Sequence, residues 1–311
     1  MIFAKAVRIS NRRYRDGYWR NHSRTKQGKT KFTLCILSFA VVTTSIASPG
    51  SSWIVATQPA PVVESYFWDY TEAQSTVTNM RQSSVSGNTT NRIHDFDFGN
   101  NGILYGAGKF GSTQTNQYFE GAYIVNPGSG QMTQIASIGL MAEGDMSFDP
   151  LMNRLVVIGK GAGITSAYQV DLANANAVST LWTSTAFDDV SGVAFDSSGN
   201  GFKVDSHVNT GGQAELYSFS NAGATSVGSL GINLGGALGM DFDANNQLHL
   251  LGLSGNLYHV NGLTPTLVDT ISNPLGHQYT GLAYSPVPEP ASMIALGVGG
   301  LCLISICRRR K

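Results

Sequence analysis

The sequence predicts an all-β protein, a five-bladed β-propeller closed by strands from both ends of its body. Three observations predict it. Glycine is abundant, 36 of 311 residues, and the middle of the chain is rich in Ser, Thr and Asn but poor in Lys and Arg, which suits a β-protein with many turns. Five short segments recur at intervals of 42 to 50 residues, a period that fits propeller blades. The repeat is also out of phase at its two ends, so that each end supplies what the other lacks.

The recurring segments are HDFDF ending at Phe98, GDMSF at Phe148, SGVAF at Phe195, LGMDF at Phe242 and TGLAY at Tyr284. Large side chains alternate with small or acidic ones in each, the two-residue period of a strand with one packed face. The large positions run from Phe96 and Phe98 through Met146, Val193 and Met240 to Leu282 and Tyr284. A turn of Asp, Asn, Pro and Gly follows four of these strands, as at Asp196 to Gly201, and such residues tolerate positive φ and bond their own backbone. A second apolar strand comes next: Ile103 to Tyr105, Leu155 to Ile158, Phe202 to Val204 and Leu248 to Leu251. A third carries Tyr66, Tyr123, Tyr168, Tyr217 or Tyr258, and a weaker fourth trails behind. The first unit has its Tyr strand but no Phe strand before it, and the last has the Phe-type strand at Tyr284 with no Tyr strand after it. Joined, they make the fifth blade and hide the open edges. A β-sandwich also spaces short strands regularly and is the alternative architecture.

The ends of the chain differ from this body, which spans residues 54–285. Residues 1–47 read as a basic extension and a signal peptide: ten Lys and Arg precede an apolar run from Phe32, and Ser45-Ile46-Ala47 places small residues for cleavage after Ala47. The basic stretch is far longer than a signal peptide's own, consistent with a start codon downstream. Arg12-Arg13 stands too far from the apolar run for twin-arginine export, and Cys35 lies too early for a lipid anchor. An uncleaved membrane anchor is the alternative. Residues 286–311 run from a turn of Pro288, Glu289 and Pro290 through an apolar stretch at 291–307 to Arg308, Arg309, Arg310 and Lys311. Those 17 apolar residues reach the lower limit for a membrane-spanning helix, and the cations hold that end in the cytoplasm.

This order of turn, apolar run and basic end resembles the PEP-CTERM sorting signal of Gram-negative bacteria. The resemblance implies processing by an exosortase-type membrane enzyme and inner-membrane tethering before it. It also implies a place in the cell envelope or the extracellular matrix of bacteria that make exopolysaccharide.

Between the two basic ends the chain carries six basic against eighteen acidic residues, a net −12. So acidic a body repels phosphate backbones, which argues against nucleic acid as a partner. The three cysteines, Cys35, Cys302 and Cys307, all lie in the apolar terminal segments, so the body has neither a disulfide framework nor a thiol nucleophile.

The innermost strand of each blade lines the propeller's channel, which places Asp95, Asp97, Asp145 and Asp241 around the axis. Converging oxygens there would suit a cation or a polyol. The plainer reading, solvated carboxylates at strand ends, is favoured because two of the five blades supply no acid. The Asp-Asn-Gly turns lack the ligand spacing of a calcium loop and are read as turns. His249 and His259 fall on neighbouring strands and could approach, but exposed strand positions explain them, so no metal site is assigned. No serine-nucleophile elbow, phosphate-binding glycine loop or zinc-protease helix appears, and no cofactor is implied. Asn88-Thr89-Thr90 fits a glycosylation acceptor.

Two functions are compatible with these residues. One is an exported, non-enzymatic binding or structural module that holds an exopolysaccharide or a surface protein. The other is a secreted glycoside hydrolase or lyase, for which Asp95, Asp145 or Asp241 could supply the paired carboxylates.

Overall fold

The computed structural model describes residues 52–285, apart from 59–64, 73–74, 86–90, 111–118, 142, 188–189, 207–210, 237–238 and 273. The signal cleavage point at Ala47, Pro288-Glu289-Pro290, the apolar stretch at 291–307 and the basic end from Arg308 to Lys311 lie outside the described residues. Among the described residues no helix is long and apolar enough to cross a membrane.

Those residues form five four-stranded antiparallel sheets. The first complete blade comprises β4 (Asn91–Phe98), β5 (Leu104–Phe110), β6 (Phe119–Val125) and β7 (Met132–Met141), in that order from the axis outward. The second holds β8 (Glu143–Asp149), β9 (Arg154–Gly161), β10 (Ile164–Asp171) and β11 (Ala177–Ser184). The third holds β12 (Gly192–Phe195), β13 (Gly201–Asp205), β14 (Glu215–Ser220) and β15 (Gly223–Ser229). The fourth holds β16 (Gly239–Phe242), β17 (Leu248–Leu251), β18 (Asn256–Asn261) and β19 (Thr264–Thr270). The fifth joins the two ends of the body: β20 (Gln278–Tyr284) pairs with β1 (Ser52–Gln58), followed by β2 (Tyr66–Thr71) and β3 (Thr76–Gln82). The innermost strands touch in a closed ring, β4 to β8 to β12 to β16 to β20 and back to β4. This is the predicted five-bladed propeller with its predicted closure.

Local chemistry explains the blades. The hairpin between first and second strands needs one residue at positive φ, and each repeat provides it: Gly102 (φ 72), Asn153 (φ 50), Gly199 (φ 74) and Asn246 (φ 61). Asp149, Asp196 and Asp243 each accept two backbone N–H groups of their own turn, at 2.8–3.1 Å. Those bonds are the turn chemistry read from the sequence. The outer strand pair of every blade shifts register near the repeated Tyr, for example between Ala167 and Tyr168 and between Leu257 and Tyr258. Such bulges twist an exposed edge away from pairing with another chain.

The core is divided among the blade interfaces. Tyr105, Met146, Phe148, Leu155 and Val157 fill one, and Trp53, Val55, Tyr70, Leu257, Tyr279 and Leu282 fill the interface beside the closing blade. β1 begins at Ser52, slightly before the body boundary at residue 54, and Trp53 is completely buried. One expectation is corrected. The innermost strands do not have a single packed face: all four residues of β12 are buried, because the channel side is covered by the neighbouring innermost strands.

A chain ending at Pro286 keeps β20, whereas one ending at Asn273 loses buried Tyr279 and Leu282 and uncovers Trp53 and Val55. Each large side chain contributes about 1.5–3 kcal/mol by burial. The shorter chain is expected to melt at least about 10 °C lower, or to aggregate. Equal thermal midpoints by circular dichroism would refute closure by β20.

Candidate functional site

The channel face of the innermost strands is built in two tiers. The deeper holds Asp95, Asp145, Gly192, Gly239 and Gly281, and the next holds Asp97, Ser147, Ala194, Asp241 and Ala283. Small residues are required here because adjacent strands pass close. A Cβ on Gly239 would meet the Leu282 backbone nitrogen at 2.3 Å, and one on Gly281 would meet the Asp95 Cα at 3.2 Å.

Asp95, Asp97, Asp145 and Asp241 all lie on innermost strands, but the preferred reading of solvated carboxylates is wrong for Asp95, Asp145 and Asp241, which are buried. The cause is the same close passage of strands. Asp97 and Asp241 tie neighbouring blades together. Asp97 Oδ2 accepts from Ser147 Oγ (2.6 Å) and from the Phe148 N–H (2.8 Å) of the next blade. Asp241 Oδ2 accepts from the Tyr284 N–H (2.6 Å) of the closing blade. Asp95 has no such anchor, and neither of its carboxylate oxygens makes a well-formed hydrogen bond. Burial pushes its pKa well above the usual carboxylate range, and the nearby charge of Asp145 adds to that against a smaller opposing pull from the Phe96 backbone. Burial also raises Asp97, to about 6, against its hydrogen bonds from Ser147 and Phe148.

Above these tiers the channel opens into a bowl of about 450 Å³. The last aromatic residue of every repeat lines it: Phe98, Phe148, Phe195, Phe242 and Tyr284. A second ring from the same interface fixes four of them: Tyr105 against Phe148 (centroids 6.3 Å apart), Phe219 against Phe195 (5.2 Å), Phe202 against Phe242 (5.6 Å) and Trp53 against Tyr284 (5.1 Å). Polar turn residues complete the rim. Asn100 donates to the Pro150 carbonyl of the next blade's turn (2.9 Å), and Asn246 accepts from the Ser197 N–H (2.7 Å). The five aromatics were legible in the sequence as core anchors, but their convergence on one mouth follows only from the ring.

A second cluster lies at the joint between the fourth blade and the closing blade. His249 on β17 pairs directly with His259 on β18, and their rings stand 4.1 Å apart. Glu72, just after β2, reaches them from the closing blade. The exposed position expected for His249 is corrected: the residue is completely buried, against Trp53 at 4.4 Å. Burial, with the neighbouring His259, lowers its pKa to about 4 and keeps the ring neutral. The approach of the two histidines was legible in the sequence, but Glu72 was missed because it comes near only through ring closure.

Residues 286–311 match the family model described as the PEP-CTERM protein-sorting motif, an exosortase-recognised sorting signal that marks the chain for export. No curated protein matches the chain. Among solved structures, one of a nidogen/laminin complex aligns at 9% identity and TM-score 0.45, covering 75% of this chain and 98% of that one. TolB from Acinetobacter baumannii aligns at 14% identity and TM-score 0.45, covering 70% of this chain and 52% of that one. A virginiamycin B lyase from Staphylococcus aureus aligns at 10% identity and TM-score 0.40, covering 67% and 66%.

The raised pKa of Asp95 has a definite sign. Its contribution to folding is complete below the unfolded carboxylate value near 4 and is lost as pH rises through the folded value. Asp95→Asn is therefore expected to raise the melting temperature at pH 8 by about 2–4 °C, equivalent to about 1 kcal/mol. The gain should shrink toward pH 4. A variant that melts lower than the parent at pH 8 would contradict the unfavourable burial of this charge.

Proposed function

We propose that the protein is a cell-envelope or extracellular-matrix component, a non-enzymatic binding and structural module that holds an exopolysaccharide in its channel mouth. The observation that carries this reading is the bowl lined by one aromatic residue from each of five blades, with asparagine and aspartate around it. Sugar rings present apolar C–H faces that pack on aromatic rings, while amides and carboxylates bond their hydroxyls. The acidic body favours a neutral or basic glycan over an anionic one.

The enzyme alternative needs two carboxylates flanking the scissile bond. Asp241 is bonded to the closing blade, and Asp95 and Asp145 are buried one tier below the mouth. These placements weigh against catalysis by them.

The tail completes the proposal. β20 ends at Tyr284 on the rim of the bowl, so the sorting segment leaves the ring beside its mouth. An N-terminal signal peptide cleaved after Ala47 starts export, the helix at 291–307 tethers the propeller at the inner membrane, and exosortase processing near Pro288-Glu289-Pro290 then releases it.

A glycan array probed with the exported protein should show saturable binding without turnover, and Phe98→Ala with Phe242→Ala should weaken it about tenfold or more. Product formation abolished by Asp145→Asn would instead establish an enzyme. Mass analysis of the exported form should find Arg308 to Lys311 removed; retention of Arg310 would rule out processing at the tail.

A further inference from the structure

We propose that Glu72, His249 and His259 form a binding site for a zinc-class divalent metal ion, which clamps the closing blade to its neighbour. The ligand types fit. Two imidazoles and a carboxylate suit zinc and similar transition metals, whereas calcium and magnesium require oxygen ligands throughout.

The distances fit as well. A tetrahedral ion with bonds of about 2.1 Å holds its ligand atoms about 3.4 Å apart. Glu72 Oε1 lies 3.5 Å from His249 Nδ1 and 3.6 Å from His259 Nε2. One ligand atom from each residue lies within 4.8 Å of the other two. Those separations are long for hydrogen bonds, and among the described residues neither His259 Nε2 nor His249 Nδ1 makes one. Buried polar atoms without hydrogen bonds are rare, and two histidine nitrogens aimed at one carboxylate oxygen point to an ion between them.

The surroundings have the form of an outer ligand shell. His249 turns Nε2 toward Asp243 Oδ2 at 3.6 Å, so a proton on Nε2 leaves the Nδ1 lone pair facing Glu72. Trp53 donates its indole N–H to Glu72 Oε1 at 3.2 Å and covers the His249 ring. His259 is partly exposed, which gives the ion a way in from solvent. The ligands come from two blades, with Glu72 on the closing blade and the histidines on the fourth, so binding ties β2 to β17 and β18 across the ring's last joint.

The test uses the full chain, purified in detergent and stripped with a chelator. Cobalt(II) titration should give the visible absorption of a tetrahedral site, saturate at one equivalent and be displaced by zinc. Zinc should also raise the melting temperature, since an ion that binds only the folded state stabilises it. His249 is buried and its replacement tests folding as much as binding, so Glu72→Gln and His259→Ala carry the test. Each should melt near the metal-free parent while losing at least tenfold in cobalt affinity and most of the zinc-induced shift. Absence of cobalt binding by the parent would overturn the proposal. So would undiminished affinity in both variants, which would locate the metal elsewhere, for instance on the terminal cysteines.

Discussion

Everything in this fold depends on the pairing of β1 with β20. The ladder runs from Trp53 opposite Tyr284 to Gln58 opposite Gln278, joining residues more than two hundred positions apart. Until it forms, the fourth and first complete blades each lack one neighbour, and two of the interfaces that make up the core are open to water. Long-range closure is entropically costly and rewarded only when the packing on both sides is complete. The buried Trp53, Tyr70, Tyr279 and Leu282 supply that packing on one side, and Ile54, Phe67, Phe96 and Ala283 on the other. A hydrogen bond from Tyr70 to Asp269 (2.7 Å) adds a polar link between the closing blade and β19.

Closure also explains why the channel is polar yet tightly built. Five innermost strands meeting around one axis leave room for glycine, alanine, serine and aspartate, but for little that is larger. Aspartates in the upper tier use this crowding to reach the next blade's backbone. Asp95 in the lower tier is buried without an equivalent anchor and bears the electrostatic cost. The same side-chain type thus stitches neighbouring blades at Asp97 and Asp241 and lies buried without such a bond at Asp95.

Strand order, blade number and closure were legible because each rests on local periodicity: two residues along a strand, one turn per hairpin, one blade per 42 to 50 residues. Burial around the axis was not. Alternation in SGVAF reads as one packed and one exposed face, and nothing within five residues reveals that four other strands cover the second. The approach of His249 to His259 was legible, but their burial and the arrival of Glu72 were not, for a related reason. His249 and His259 are neighbours across a hairpin, whereas Glu72 arrives from the opposite end of the body, where no local spacing links it to them. Had the predicted closure been carried through to the turn after Tyr70, Glu72 would have fallen beside the fourth blade.

The joint, the mouth and the tail are physically continuous. Tyr284 lines the mouth, is the last residue of β20 and packs edge-on against Trp53. Trp53 in turn lies against His249 and donates to Glu72, while Asp243 borders both the mouth and His249. Under the tethering proposed above, tension on the tail would reach the closing ladder at Tyr284, one packed ring away from the histidine cluster. Packed aromatic contacts resist deformation because interiors have little free volume. If the propeller is carried on its closing strand as proposed, load would enter at the joint where the chain gathers an indole, two paired imidazoles and two carboxylates.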